Sequence, residues 1–209
     1  PAPLTDAARA QPRGIPCDGK KLHFPDSKIS AIRSADLDPH GRVETIVGED
    51  LFEFGDRDGK GSTVRLQHPL GVVYHDGWLY VADTYNNKIK RVSPKDRTSE
   101  TFVGTGESGM RDGERATLDE PGGVSVALGK LYIADTNNHL IRVADLKTRR
   151  LDTLQIKGLE KLRPPKSRQF AGESIELPAQ TIEPGDTTLT IQLELPRGYK
   201  LNALAPTAL

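Results

Sequence analysis

The feature that most constrains this chain is a repeated segment. The stretch LYVADTYNNKI at residues 79–89 returns as LYIADTNNHLI at residues 131–141, offset by 52 residues without a gap. Counted from the Asp of each copy, Asp83 and Asp135, both copies have a Pro fourteen residues earlier and a Gly two residues after that Pro. A period of this length is typical of folds that stack similar units side by side.

A third copy lies nearer the start of the chain. The same spacing laid on Asp26 finds the matching Pro, Gly, Leu and Ile, so this copy begins at about residue 11. It carries Pro16 and Pro25 in segments that align with strands, and a proline cannot donate a hydrogen bond to a ladder. We therefore expect a degraded first unit, in which Asp26 matters less than its two counterparts.

Each unit reads as a small antiparallel sheet. In the middle copy, residues 71–75, 78–83, 88–93 and 99–104 are rich in Val, Ile, Tyr and Phe and are separated by DG, NN and PKD turn signals. Along the second strand, Leu79 and Val81 point to one face and Tyr80 and Ala82 to the other. Because both faces are apolar, each four-stranded sheet needs a neighbour on either side. Radial stacking of such sheets predicts an all-β fold, a segment of a β-propeller.

The residues that recur in every unit are interpreted as structural. Each strand-end Asp is expected to accept backbone amides of the turn that follows it, and Asn86 or Asn87 to supply the left-handed residue of that turn. The predicted structural set consists of Asp26, Asp83, Asp135, Asn86, Asn87, Asn137, Asn138, Pro69, Gly71, Pro121 and Gly123.

The patterns HPLGVVYHDGWLYVADTYNNKIKRV and EPGGVSVALGKLYIADTNNHLIRV resemble NHL repeats. The span from residue 11 to about 156 is similar to the propeller of the NHL repeat-containing protein 2 family. That resemblance implies a six-bladed propeller attached to a thioredoxin-like domain and to a C-terminal β-stranded domain. Only three blades are readable here. The single cysteine, Cys17, lies in a blade strand without a CxxC partner, so no redox chemistry is carried over.

Four segments follow from these patterns. Residues 1–10 form an N-terminal segment and residues 11–156 the blades. Residues 157–174 have the charge and paired prolines of a linker. Residues 175–209 are similar to the beginning of the family's C-terminal domain. Independently of that resemblance, TLTIQLEL at residues 188–195 alternates like a half-buried strand of a β-sandwich.

Basic side chains in the turns and connectors form a candidate binding rim. The set consists of Arg57, Arg111, Lys88, Lys90, Arg91, His139 and Arg142. Both connector arginines have an adjacent Asp, and the chain has 29 basic and 29 acidic residues. A locally neutral rim is therefore favoured over a nucleic-acid footprint. RNA binding through these loops remains an alternative.

The sequence contains no pattern for catalysis such as G-x-S-x-G or H-E-x-x-H. We therefore predict no catalytic residue, metal site or cofactor, and interpret the chain as a non-catalytic interaction scaffold. The alternative is a propeller hydrolase or lyase whose central channel holds a metal through His68, His75, His139, Asp83 or Asp135. Recurrence of the Asp at a strand end in each unit favours the architectural interpretation.

The predicted partners follow from counting blades. An arc of three blades would expose two apolar end sheets. We therefore expect a protein partner, the missing blades of a longer polypeptide, or a homodimer that completes a ring. No apolar run reaches the roughly 18 residues of a membrane span, so no membrane partner is predicted. One cysteine fits a reducing compartment such as the cytoplasm, although a secreted chain without disulfides would look the same.

Overall fold

The computed structural model describes residues 2–3 and 10–158. They form three antiparallel sheets that follow one another along the chain, here called the first, second and third blade. The predicted all-β class, built from propeller blades, is confirmed. One compact unit spans Pro1–Leu159. The predicted β-sandwich, and the predicted linker beyond residue 158, lie outside the described residues.

The first blade has a degraded inner edge. Its strands are β1 (Ala2–Pro3), β2 (Lys21–Asp26), β3 (Ala31–Asp36) and β4 (Arg42–Val47), in the order β1-β4-β3-β2. Where the other blades have a full inner strand, this blade has two isolated bridges, Pro12 with Asp26 and Cys17 with Leu22. Pro12 and Pro16 have no N–H to donate, which explains why a continuous ladder does not form.

The second blade contains the predicted four-stranded meander and one addition. Its strands are β5 (Gly59–Lys60), β6 (Pro69–His75), β7 (Trp78–Asp83), β8 (Lys88–Ser93) and β9 (Thr98–Val103). The order β5-β9-β8-β7-β6 puts β6 innermost and adds the short β5 outside β9. Sequence patterns missed β5 because a two-residue strand in a Gly-rich connector carries no periodicity.

The third blade repeats the meander. Its strands are β10 (Pro121–Ala127), β11 (Lys130–Asp135), β12 (Leu140–Asp145) and β13 (Leu151–Thr153), paired in chain order. Short 3-10 turns occur elsewhere at Ser27–Ile29, Gly61–Thr63 and Thr84–Asn86.

The two ends of the strands carry different loops. At one end lie tight hairpins such as Asp76–Gly77, where both residues have positive φ (47° and 82°) as a two-residue type I′ turn requires. At the other end lie the turns at residues 27–30, 84–87 and 136–139, and there the long connectors at residues 48–68 and 104–120 begin and end. Between those points each connector runs along the outer edge of its blade, where Gly59 and Lys60 pair with Ser99 and Thr98, and Gly113 pairs with Leu151. We call these ends the hairpin face and the connector face.

The core lies between the blades. Leu79 and Val81 of β7 belong to a buried cluster with Ile32 of the first blade. Tyr80 of the same strand belongs to a second cluster with Ile133 of the third blade. The predicted alternation, with an apolar face toward each neighbour, is therefore confirmed for β7, and burial of these side chains is what holds consecutive sheets together.

Within the described residues, no helix has the length and apolar character that a membrane crossing requires.

Candidate functional site

The repeated Asp lies at the connector face in all three blades and is fully buried in each. Asp83 Oδ1 accepts the backbone N–H of Gln67 at 2.7 Å, and Asp135 Oδ1 accepts that of Asp119 at 2.7 Å. Both amides lie sixteen residues before the Asp, in the connector that leads into the blade. The expectation that these carboxylates accept amides of the following turn is therefore wrong.

The first blade keeps the same contact. Asp26 Oδ1 accepts the N–H groups of Ala10 at 2.9 Å and Gln11 at 2.7 Å, and Arg33 donates to its other oxygen at 3.1 Å. Asp26 is as buried and as well bonded as its counterparts, despite the degraded strand beside it. The contacts therefore give no reason to expect a smaller role for Asp26.

In the second blade, the two consecutive asparagines of the turn have different roles: the first bonds the strand-end Asp, and the second has the left-handed conformation. The amide groups of Asn86 and Asn138 donate to the outer oxygen of Asp83 at 2.7 Å and of Asp135 at 2.8 Å. The left-handed residue of the turn is the next one, Asn87, with φ of 52°. In the third blade this conformation falls on His139, and Asn137 is an exposed turn residue that donates to Asp119 at 3.5 Å.

Pro69 and Pro121 begin the inner strands β6 and β10, as their spacing suggested. The glycine two residues later has a steric reason. A Cβ built on Gly71 would lie 2.6 Å from the carbonyl oxygen of Gly122 in the next blade. The inner strands of adjacent blades thus approach too closely for a side chain at this position. Gly123 occupies the same place in the third blade.

Two members of the predicted rim are not at the surface. Lys90 and Arg142 are fully buried, each seven residues after the Asp of its blade. Arg142 donates to Asp135 at 2.8 Å and to Asp112 at 2.7 Å. Their expected exposure is wrong, because a charged residue in an alternating strand turns inward when carboxylates are held opposite it.

Lys90 forms a different network from Arg142. Its Nζ donates to Asp56 at 2.6 Å, to Asp58 at 2.8 Å and to the hydroxyl of Thr101 at 3.0 Å. Burial alone would lower the pKa of Lys90, but the hydrogen bonds to the two connector carboxylates raise it above its usual value. Burial tends to raise the pKa of Asp56 and Asp58. The hydrogen bonds from Lys88 and Lys90 bring the pKa of Asp56 below its usual value, and the bond from Lys90 does the same for Asp58.

Asp83 receives its hydrogen bonds from neutral groups. Burial raises the pKa of Asp83 to about 7, and the hydrogen bonds from the Asn86 side chain and the Gln67 amide only partly oppose this. A carboxyl group with such a pKa is often a catalytic acid or base. Here the group is enclosed by protein, without access to a substrate, so we interpret it as part of the interior scaffold.

The remaining rim residues lie apart from one another. Arg57 is exposed and bonds the carbonyl of Thr63 at 2.9 Å, and Lys88 pairs with Asp56. Arg91 lies over the ring of Trp78 at 4.1 Å and pairs with Glu100 at 2.6 Å. Exposed Arg111 and His139 belong to different loops. The structure therefore does not collect the rim into one basic patch.

The sequence patterns did not identify a group of exposed apolar residues on the connector face. Its members have exposed side chains in the connectors and in one turn, and they are Leu51, Phe52, Phe54, Tyr85 and Met110. The ring of Tyr85 stacks on His68 with 4.7 Å between centroids and 12° between planes. The run LFEF in a connector was the available signal, because loops seldom carry consecutive large apolar residues. We call this group the aromatic surface.

Connections on the connector face hold the aromatic surface in place. The N–H of Gly55 donates to the carbonyl of Leu66 at 3.0 Å, and the Asn86 amide donates to the Gly55 carbonyl at 2.6 Å. Arg65 pairs with Glu53 at 2.5 Å and Glu49 at 3.4 Å across the same loop.

Within residues 2–3 and 10–158, no group of three or more His, Cys, Asp or Glu side chains is placed to hold a metal ion.

The NHL repeat family matches residues 118–144. NHL repeat-containing protein 2 from Gallus gallus is 39% identical over 238 residues, which cover 97% of this chain and 32% of that protein. The Homo sapiens protein of the same name is 38% identical and is covered to 31%. Protein SUPPRESSOR OF QUENCHING 1, chloroplastic, from Arabidopsis thaliana is 39% identical over 91% of this chain and 20% of that protein. The chain spans less than a third of the length of these relatives.

Solved structures with a similar fold are more distant in sequence. An auxiliary nutrient binding protein from Bacteroides ovatus superimposes with a TM-score of 0.54 at 19% identity, over 66% of this chain and 36% of that chain. A structural genomics protein from Bacteroides thetaiotaomicron gives a TM-score of 0.52 at 22% identity, over 59% and 32%. At these identities the likeness shows the fold alone.

Proposed function

Because this chain is an NHL-repeat propeller segment of the NHL repeat-containing protein 2 family, we propose that it is a non-catalytic scaffold that binds a protein partner through its connector face. The observation that carries the proposal is the aromatic surface. Within the described residues, the three exposed aromatic side chains are Phe52 and Phe54, in the connector whose Gly55 carbonyl the Asn86 amide bonds, and Tyr85, in the turn beside Asn86.

The exposure of these rings supports a docking role. Phe52 is 84% exposed, and a soluble protein gains nothing for its own stability from an apolar ring in water. Aromatic residues are enriched in protein interfaces, where they supply large buried areas with little loss of conformational freedom. An exposed group of them next to charged side chains such as Glu53 fits the apolar centre and polar rim of such an interface.

The loop that carries the rings is held before any partner arrives. The Gly55–Leu66 hydrogen bond and the pairing of Arg65 with two glutamates hold the connector in its own shape, and the Asn86 bond to Gly55 fixes it to the second blade. A surface that is already ordered loses less entropy on binding. Loops on a rigid scaffold are also where binding residues concentrate in propellers and other folds.

Charge on this face favours a protein over a nucleic acid. Lys88 and Lys90 both pair with connector carboxylates, and Arg142 pairs with Asp112 and Asp135. Nucleic-acid affinity depends on cations that are free to neutralise phosphates. With these three engaged and a formal net charge of zero, the connector face is better suited to an apolar partner surface.

The test compares one double variant with a matched control on the opposite face. Affinity purification with the wild-type chain identifies a protein partner, whose affinity is then measured by calorimetry. We expect Phe52→Ser with Phe54→Ser to weaken binding by at least about tenfold, since each 1.4 kcal/mol of lost interface energy is one decade. Leu128→Ser removes an apolar side chain that is 94% exposed on the hairpin face and should leave the affinity unchanged.

Two results would contradict the proposal. One is equal affinity for the wild type and the double variant. The other is tight binding of single-stranded RNA that weakens steeply with salt, which would support a nucleic-acid scaffold instead. Because Phe52 and Phe54 are exposed, the thermal midpoint of the double variant should match that of the wild type, which separates loss of binding from loss of folding.

A further inference from the structure

A groove of about 670 Å³ opens on the hairpin face between the first and second blades. Strands β2, β3 and β4 of the first blade line one side of it. Tyr74 and the turns at residues 77–78 and 93–97 of the second blade line the other side. Its volume lies within the range of small-molecule sites. The groove is on the opposite face from the aromatic surface, so the proposed docking role does not account for it.

The contact between the second and third blades shows how the same space is filled elsewhere. There Arg91 lies opposite Glu100 in the ladder, pairs with it at 2.6 Å and covers the ring of Trp78 at 4.1 Å. At the corresponding place in the first blade, Ser34 lies opposite Glu44. The groove is therefore open because a short hydroxyl side chain replaces a guanidinium that is stacked on an indole.

The arginine that crosses each contact also differs in its partners. Arg97 of the second blade donates to the backbone carbonyl of Thr45 in the first blade at 3.0 Å. Arg149, 52 residues later, donates to that of Thr101 in the second blade at 3.5 Å and also pairs with Glu100 at 2.8 Å. Among the described residues, Arg97 pairs with no carboxylate, since its bonds go to backbone carbonyls. An uncompensated guanidinium therefore stands at the mouth of the groove.

The carboxylates around the groove are already engaged. Glu44 pairs with Lys21 at 3.4 Å. Asp18 bonds the imidazole of His23 at 3.0 Å and accepts two backbone amides. Asp96 accepts the hydroxyl of a serine in its own turn at 2.9 Å. The charge that is left for a ligand is therefore positive.

Two cations at the mouth favour a carboxylate ligand. Lys95 is exposed next to Arg97 in the same turn, and within the part of the chain that the structure describes it has no acidic partner. A guanidinium matches a carboxylate with two parallel hydrogen bonds. A dianion such as phosphate is less suitable, because its second charge would be repelled by the three carboxylates that line the same groove.

Two polar groups at the base of the groove lack hydrogen-bond partners among the described residues. They are Nδ1 of His23 and the hydroxyl of Ser34. The two residues are cross-strand neighbours, 1% and 3% exposed, and the imidazole stacks on Tyr74 with 6.0 Å between centroids. Buried polar groups in proteins are nearly always bonded. The base of the groove thus has a place for a hydrogen-bonding group of a ligand.

From these contacts we propose that the groove binds a small aromatic monocarboxylate. Its carboxylate pairs with Arg97 and Lys95 at the mouth. Its ring lies beside Tyr74, in the space that a guanidinium and an indole fill at the other blade contact. A phenolic hydroxyl at the far end of the ring bonds the Ser34 hydroxyl, beside the unpartnered nitrogen of His23.

The test is a titration with para-hydroxyphenylacetate, followed by the fluorescence of Trp78. This is the only tryptophan of the chain and borders the groove, and it can be excited where a phenol does not absorb. We expect saturable binding. The amide of the same acid, which has the shape without the charge, should bind at least about tenfold more weakly. Phenylacetate, which lacks the hydroxyl, should bind about threefold more weakly or worse.

Two variants place the ligand in the groove. Ser34→Arg introduces the side chain that fills the other blade contact, opposite Glu44, and should abolish binding. Lys95→Gln leaves the groove open and removes one exposed cation, so we expect binding about two- to fivefold weaker. Lys147→Gln is the matched control, at the same turn position 52 residues later and away from the groove, and should leave the affinity unchanged. Circular dichroism should show each variant folded.

Absence of saturable binding would overturn the inference, and so would equal affinity for the acid and its amide. Equal affinity of the wild type and a folded Ser34→Arg would do the same, because the ligand must then bind elsewhere. If Ser34→Arg does not fold, the comparison of Lys95→Gln with Lys147→Gln decides, and equal affinities would refute the site. Tighter binding of an acetylated peptide that ends in tyrosine would support the same site and identify a protein chain end as the source of the carboxylate.

Discussion

The second and third blades both bury a carboxylate and a basic side chain, but the basic side chain is Lys in one and Arg in the other. Each buries an Asp at the end of its second strand and a basic residue seven positions later. In the third blade, Arg142 bridges the strand-end Asp135 and the connector Asp112. In the second blade, Lys90 directs its hydrogen bonds to Asp56 and Asp58 of the connector, and Asp83 is bonded by neutral donors.

The difference follows from the shape of the two cations. A guanidinium has donors that point in several fixed directions, so Arg142 reaches two carboxylates and the carbonyls of Arg111 and Thr117 at once. An ammonium is a compact charge that draws its carboxylates together. The connectors differ in the same way. The second-blade connector supplies two carboxylates, Asp56 and Asp58, whereas in the third-blade connector Met110 stands at the position of Asp56 and only Asp112 is left. The blades thus share a fold while differing in where their buried charge is neutralised.

The largest effect is expected from Arg142→Met. This substitution keeps an apolar stem but leaves Asp135 buried without its cation. Breaking a buried ion pair from one side costs about 3 to 5 kcal/mol, which urea unfolding would measure. The matched control is Arg150→Met in the same blade, whose pair with Asp152 at 3.3 Å is exposed and is expected to change stability by less than about 0.5 kcal/mol. Equal losses for the two variants would show that the buried pair with Asp135 stabilises the fold no more than an exposed pair does.

The second prediction concerns pH and is specific to the second blade. The pKa of Asp83 is raised from 3.8 to about 7 in the folded chain. The folded state therefore holds a proton that the unfolded state has released between these values. The stability that this proton supplies is fully present below about pH 4 and is lost as pH rises through 7. Linkage makes the loss roughly 2 to 4 kcal/mol across the window.

The difference in unfolding free energy between wild type and Asp83→Asn reports the titration of Asp83. The five histidines are common to both chains, so their contributions to the pH dependence cancel. The variant loses an amount of unfolding free energy that does not change with pH, because its amide nitrogen faces the amide group of Asn86, which is also a donor. Its side chain at position 83 cannot titrate. We expect the stability difference between the chains to shrink steadily as pH rises from 4 to 7.5. A difference that stays constant over this range would mean that Asp83 is already ionised at pH 4.

The blades could be predicted from the sequence because the same strand pattern recurs in each repeat and shows which faces are buried between neighbouring sheets. Residues 78–83 and 88–93 were placed as the structure has them, and the outer strand was displaced by a single residue. Alternation in 79–82 also indicated which side chains face which neighbour. These inferences succeed because a sheet with two apolar faces can be buried in few ways.

The partners of the buried charges could not be predicted in the same way. The amide of Gln67 reaches Asp83 because the connector returns to the strand end, and local spacing does not reveal that return. Lys90 and Arg142 read as exposed because a charge in a short strand usually is. The matched Asp58 and Asp112 in the two connectors were a usable signal, since a carboxylate that recurs with a cation suggests a pair.

Lys90→Met is expected to have a smaller effect than Arg142→Met, about 1 to 2 kcal/mol. Its partners Asp56 and Asp58 retain exposures of 34% and 41%, so water can solvate them when the ammonium is gone. The nearby positive charge also favours ionised Asp83. Removing it should move the pH at which stability falls to a higher value. A midpoint that does not rise would show that Lys90 does not favour the ionised form of Asp83.

The smallest effect tests the contacts between blades rather than within them. Thr84→Val removes a buried hydroxyl from the Pro121 carbonyl while preserving shape. The net value of such a hydrogen bond is about 1 kcal/mol, and that is the loss we expect on urea unfolding. Thr136→Val changes the same position of the third blade, where the hydroxyl is exposed. Its cost should stay below about 0.5 kcal/mol. If both variants lose the same stability, the hydroxyl acts within its own turn, and the second and third blades are joined by apolar contacts alone.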